Sequence, residues 1–253
     1  MEMSGVLVWL NRLVSEPYYL FHFLIFFSYV AVRASAASVL APDVAYRLLR
    51  REVQVILAFL VFSVVKLVKE KSREASIADI LFYAKGFLFA IAFYLDYYLA
   101  LWYAIAFIVV YAVTQQPPFE GLGTAVKLTP LQLESVLTEG NTSRFWLVEF
   151  RALNSSECVR TSRFFPELSI TYSNKNLSFG IVDLGLFPNA AEKFGISVSG
   201  GMSELPTYIL FENAVEVIRF PEFSSNVNPP ITKGLLCHHF ELDLRLLEYV
   251  SGK

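Results

Sequence analysis

Apolar residues in the first 116 positions come in long runs, whereas later they come in short runs with polar punctuation. The longest charge-free stretch is Tyr97 to Phe119, and 17 residues of it, 97–113, are apolar. That meets the lower limit for a membrane-spanning helix, about 17–25 residues. The run is apolar on every face, with Tyr97, Tyr98 and Tyr111 near its ends, where aromatic belts form. A second run, 18–32, follows Pro17 and leads into Arg33 and Ala34-Ser35-Ala36. The small-x-small triplet matches a signal-peptide cleavage site, but Arg33 beside it favours a retained helix. A third run, 53–65, contains Gln54 and is short for a span unless the stems of Lys66 and Lys69 snorkel. The fourth, 77–95, contains Asp79 and Lys85 and reads as a surface or tilted helix running into the last span. Helical spacing would put Lys85 and Asp96 on one face, with Asp96 at the headgroups rather than serving as a buried functional acid. Basic residues flank 53–65 on both sides, so charge bias satisfies either orientation.

Pro117-Pro118 closes this region, because paired prolines end a helix and start an extended linker. Beyond it the pattern is α/β. A strand at 125–128 precedes Thr129-Pro130, an N-cap followed by proline at the first helical position, and Gln132 completes a capping box. That helix runs to about Glu139 and stops at Gly140. A buried strand is expected at 145–150, a helix at 155–172 interrupted by Pro166, a strand at 177–184 and a short helix at 189–194. A hairpin with a tight turn at Asn213 joins 205–212 to 214–220, and 240–250 is an amphipathic helix. The order β-α-β-α-β-α-β-β-α implies a central mixed sheet flanked by helices. The expected organisation is a membrane domain at 1–116, a linker at 117–124 and an α/β domain at 125–253.

Composition supports the split. Apolar residues make up 55% of the chain, above the roughly 45–50% of soluble domains. Residues 1–116 carry ten Lys/Arg and eight Asp/Glu, against eleven and fifteen in 117–253. A net charge of −2 gives no electrostatic footprint for nucleic acid. Two cysteines, Cys158 and Cys237, are too few for a disulfide framework. Sequons at Asn141, Asn154 and Asn176 matter only if this half faces a lumen.

One segment carries candidate chemistry. The strand ending Val148-Glu149-Phe150-Arg151-Ala152 is followed by Asn154-Ser155-Ser156-Glu157-Cys158 at a strand-to-helix turn, and Leu205-Pro206-Thr207-Tyr208 precedes a later strand. These motifs resemble thioredoxin. The likeness implies that Glu149 occupies the buried-acid position and Pro206 the cis-proline, with Leu205, Ser156 and Glu157 beside the groove. Ser155 then stands where the family's attacking cysteine belongs. The kinking proline expected five residues after the second cysteine is replaced by Arg163. Pro17-Tyr-Tyr-Leu, Arg51-Glu52-Val53, Gln116-Pro117-Pro118 and the Ser-x-x-Cys motif extend the likeness to nearly the whole chain. The chain resembles the thioredoxin-related transmembrane protein type 2 family, which implies an endoplasmic-reticulum membrane protein with one thioredoxin-like domain.

A dithiol exchanger attacks with a cysteine at a helix N-terminus, where backbone dipoles stabilise the thiolate. A serine hydroxyl cannot form a disulfide, and Glu157 beside Cys158 should disfavour a thiolate there. Dithiol oxidoreductase activity is therefore expected to be absent or very weak. Two readings remain: a binding or regulatory module that holds partner or client proteins beside Pro206, or a monothiol redox device using Cys158. Cys158 as a buried small hydrophobe fits the first. The expected partners are the lipid bilayer, proteins and a second copy of the chain as a homodimer. No phosphate-binding glycine loop is present, no cofactor is implied, and Gly200-Gly201 reads as an approach to Pro206. Cys237-His238-His239 cannot converge on one ion from a regular element, so no metal is expected. His22 reads as a packing residue.

Overall fold

The structure, a computed structural model, describes residues 15–37, 40–69, 72–119, 121–138, 144–196, 205–222 and 230–252. The chain divides into two compact units, Met1–Pro117 and Pro118–Lys253.

The first unit is helical: α1 Pro17–Ala36, α2 Pro42–Lys69, α3 Arg73–Leu95 and α4 Tyr97–Val113. Two of these, α1 with 20 residues and α3 with 23, have the length and apolar composition to cross a membrane, and α4 is a shorter apolar helix. Three expectations change. The run at 53–65 is only the middle of α2, which has 28 residues and is about 42 Å long. Its charged flanks remain helical because they pair with neighbouring helices. Glu52 accepts from the Tyr29 hydroxyl at 2.7 Å and from Arg33 Nε at 3.0 Å, and Lys66 meets Asp79 at 2.7 Å. The run at 77–95 belongs to a helix that begins at Arg73, where the Ser72 hydroxyl accepts from Ala75 N–H at 3.1 Å. Nor does that helix continue into the last span. Asp96 is extended (φ −159°, ψ 134°), and its carboxylate accepts from Leu99 N–H to cap α4. An aspartate offers a short acceptor suited to a cap, and here that local bond wins over helix continuation. Lys85 and Asp96 thus lie on no common helix face. Small residues Ala92 and Ala100 let α3 and α4 approach closely, packed with Leu88 and Tyr103. His22 is buried, and its Nδ1 donates to the Tyr18 carbonyl at 2.7 Å.

The second unit contains β1 Val126–Lys127, α5 Pro130–Thr138, β2 Phe145–Arg151, α6 Ser156–Thr161, α7 Phe164–Tyr172, β3 Leu177–Asp183, α8 Asn189–Lys193, β4 Thr207–Glu212, β5 Val215–Phe220, α9 Lys233–His239 and α10 Leu242–Ser251. The sheet order is β1-β3-β2-β4-β5, with β1, β3 and β2 parallel and β4 and β5 antiparallel additions. Strand β2 is buried at all seven positions, as a central strand covered on both faces must be. One face packs Leu147, Phe179, Tyr208 and Leu210 under α7, α9 and α10; the other packs Val148, Phe150, Val182 and Ile209 with Leu133 and Ala191. The capping box before α5 forms in full. Thr129 Oγ1 accepts from Gln132 N–H at 3.2 Å, and Gln132 Oε1 accepts from Thr129 N–H at 2.9 Å. Glu139, Gly140 and the Asn141 sequon lie outside the described residues, as do Gly200 and Gly201; Asn154 and Asn176 are exposed. Asn213 and Ala214, both with positive φ (48° and 69°), make the two-residue turn of the β4–β5 hairpin.

Two boundaries differ from expectation. The helix after the motif breaks at Ser162–Arg163, ahead of Pro166. The proline is still the cause. It has no N–H to give the Ser162 carbonyl four residues back, and its ring crowds that carbonyl. The Ser162 hydroxyl beside the break accepts from Phe119 N–H at 2.9 Å. The C-terminal helix is two helices, because Phe240 inserts fully into the core and Glu241 turns to φ 52°. The first, α9, was not anticipated, although Thr232 caps it by accepting from Leu235 N–H at 3.1 Å.

Candidate functional site

The motif sits where the buried strand β2 ends and α6 begins. Ser155 is the N-cap of α6 (φ −83°, ψ 123°), and its Oγ accepts from Cys158 N–H at 3.5 Å. A residue at this point faces the unpaired N–H groups of the first turn. The position suits a nucleophile, but it holds a half-buried hydroxyl. Asn154, Ser156 and Glu157 are exposed. Cys158, one turn in, is only 1% exposed and packs with Ala152, Val182 and Leu205. Its sulfur accepts from Ala152 N–H at 3.5 Å.

Burial pushes the Cys158 thiol up to about 11; the Ala152 N–H and Ser155 act against this, and the charge of Glu149 adds to it. Glu157, expected to oppose the thiolate, is exposed, so water screens its carboxylate and burial is the main cause of the shift. A thiol at about 11 is ionised in roughly one molecule in ten thousand at neutral pH. Only the thiolate attacks disulfides, so this group is a poor nucleophile.

Glu149 lies fully buried beneath the motif. Parallel pairing sets it beside Ile181, and antiparallel pairing sets it beside Tyr208. The Tyr208 hydroxyl donates to Glu149 Oε1 at 3.3 Å, and Arg151 Nη1 stands 3.8 Å from Oε2. Loss of water raises the carboxyl to about 7, against the opposing pull of Arg151 and Tyr208. Burial likewise holds the Tyr208 phenol protonated. The Leu205–Pro206 bond is cis, and Leu205, Pro206 and Thr207 are all buried at the head of β4.

The fold thus joins Ser155, Cys158 and Leu205 in one region and puts Glu149 below them. Arg151 and Tyr208 escaped the sequence reading as site residues. Arg151 had a signal: at i+2 from Glu149 in a strand, it must share that residue's face. Cys158 and Cys237 are both free thiols. Cys237 instead lies 3.1 Å from the Tyr172 hydroxyl and donates to Asp243 at 3.3 Å, while the His239 ring bonds the Arg219 carbonyl at 3.0 Å.

A mixed sheet with this strand order, a motif at the β2–α6 turn and a cis-proline before β4, preceded by apolar helices of spanning length, defines a membrane-anchored thioredoxin-like protein. Solved thioredoxins from Plasmodium falciparum and Malassezia sympodialis align at 19% and 17% identity, each with a TM-score of 0.36, covering 46% and 51% of this chain and 97% and 96% of theirs. No protein-family model matches the chain. Thioredoxin-related transmembrane protein 2 of Xenopus tropicalis is 31% identical over 232 residues, which span 87% of this chain and 77% of that one. The Xenopus laevis protein is 32% identical over 225 residues (84% and 76%), and the Drosophila melanogaster homolog 29% over 223 (83% and 80%). The chain belongs to the thioredoxin-related transmembrane protein 2 family.

Proposed function

We propose that this protein works in the endoplasmic-reticulum membrane as a binding or regulatory module, with the thioredoxin-like unit holding partner or client proteins beside Pro206 and exchanging no disulfides through a dithiol. One observation carries this reading. The attacking position holds Ser155, and the one thiol left at the motif, Cys158, is 1% exposed with its pKa pushed up to about 11. A groove that keeps its backbone frame without its nucleophile keeps the means to hold an extended chain and loses the means to react with it. Kinship with the thioredoxin-related transmembrane proteins supports the membrane setting, and the resemblance of the motifs supports the endoplasmic reticulum.

Alkylation of Cys158 in the native, full-length protein tests this, with Cys237→Ser removing the second thiol. Labelling near neutral pH is expected only after denaturation. Fast labelling of the native protein would replace this reading with a monothiol redox device. Localisation is checked by carbonate-resistant recovery in microsomes, and protease protection of the Pro118–Lys253 unit assigns its side.

A further inference from the structure

Arg151 is a buried cation with poor company. Its side chain is 7% exposed, its Nε has no hydrogen-bond partner among the described residues, and its ion pair with Glu149 spans 3.8 Å, beyond hydrogen-bond reach. Glu149 Oε2 is likewise without a hydrogen bond among the described residues. A guanidinium presents five N–H donors, and buried donors are ordinarily satisfied. Glu149 neutralises only part of this charge, since burial leaves about half of it protonated at pH 7.

The arginine borders a cavity of about 310 Å³ within the second unit. Lys127 borders it from the sheet edge, and Phe119, Pro166 and Ile181 give it apolar walls. Strand register explains the meeting of the two cations. Lys127 pairs with Ile181 and Ile181 with Glu149, so all three point to one face, with Arg151 two residues beyond Glu149. Lys127 and Arg151 are then two strands apart and two residues along, roughly 12 Å between Cα atoms. Gly123 lets the chain run tightly here: a Cβ on it would lie 2.8 Å from the Pro166 side chain. Asp183, beside Arg151 in the register, spends Oδ1 on Gly185 N–H at 2.8 Å.

We propose that this cavity binds a small ligand bearing an oxyanion, a phosphate or a carboxylate, which Arg151 grips and Lys127 attracts at the rim, with the ligand's apolar part against Phe119, Pro166 and Ile181. Water alone is a poor occupant. The volume holds several waters at about 30 Å³ each, but they would bring no charge to the guanidinium and would wet three apolar walls. A planar guanidinium and an oxyanion fit each other in shape and charge.

The test is calorimetric titration of the full-length protein in nonionic detergent with inorganic phosphate and, separately, benzoate, with ionic strength held constant by sodium chloride. Saturable binding of at least one probe is expected: phosphate alone assigns a phosphate ligand, benzoate alone a carboxylate, and both the shared oxyanion chemistry. Arg151→Gln should abolish binding, Lys127→Met should weaken it about fivefold, and Lys175→Met, at an exposed site away from the cavity, should leave it unchanged. If Arg151→Gln does not fold, Lys127→Met decides alone, because Lys127 is exposed on the edge strand β1. No saturable heat from either probe, or unchanged affinity in Lys127→Met, overturns the site.

Discussion

At the scale of single residues, the missing sulfur at Ser155 is the plainest lever. It is the N-cap of α6, and its hydroxyl accepts from the N–H of Cys158, the motif's remaining thiol. Ser155→Cys should therefore place a thiol where helix amides stabilise a thiolate. We expect disulfide formation with Cys158 and insulin reduction rising clearly above the serine protein's background. A variant that stays at background would show that the groove, as well as the nucleophile, has departed from exchange chemistry. Glu149 gives a second test. Its folded pKa of about 7 lies above the unfolded value near 4.3, so between the two the folded state holds the extra proton. The contribution of Glu149 to stability should be greatest below about pH 4.3, fall as pH rises, and level off above about 7, losing about 4 kcal/mol at most across that window. Glu149→Gln should flatten this slope in denaturant titrations at pH 5 and pH 8. Trp146 serves as the fluorescence reporter, the only tryptophan in the second unit.

At the scale of elements, local chemistry set boundaries wherever the sequence wrote it in full. Thr129-Pro130 and Gln132 announced a capping box, and both of its hydrogen bonds form. Thr129→Ala should cost about 1 kcal/mol of stability, read from the urea midpoint, with the fold unchanged. Elsewhere a local signal needed its neighbours to be interpreted. Pro166 was visible, but its effect falls four residues earlier, at Ser162. The apolar face of 240–250 was also visible. It continues through a break at Glu241 because Phe240 is drawn into the core, and periodicity does not register a single residue with positive φ. In the membrane unit, hydropathy found the centre of α2 and missed its ends. The charges that seemed to bound it are paired across helices, Glu52 with Tyr29 and Arg33, and Lys66 with Asp79.

At the scale of the whole molecule, the second unit has its own two-sided core and needs no residue before Pro118 to complete its sheet. Expressed alone, Pro118–Lys253 should fold cooperatively and be monodisperse, and it should fail to reduce insulin. Circular dichroism and a turbidity assay check the two halves of that expectation, and robust turnover would overturn the non-catalytic reading.

The sequence by itself determined the class of fold, most of the element order and the serine at the motif's first position. These follow from periodicity, proline chemistry and residue identity, all of which are local. Tertiary structure decided how much each group is worth. Burial in a packed sheet, rather than the neighbouring Glu157, raises Cys158. The same burial moves Glu149 to about 7 and strands the Arg151 guanidinium beside a cavity. Desolvation depends on what surrounds a group from every direction, and those surroundings come from strands and helices distant in the chain.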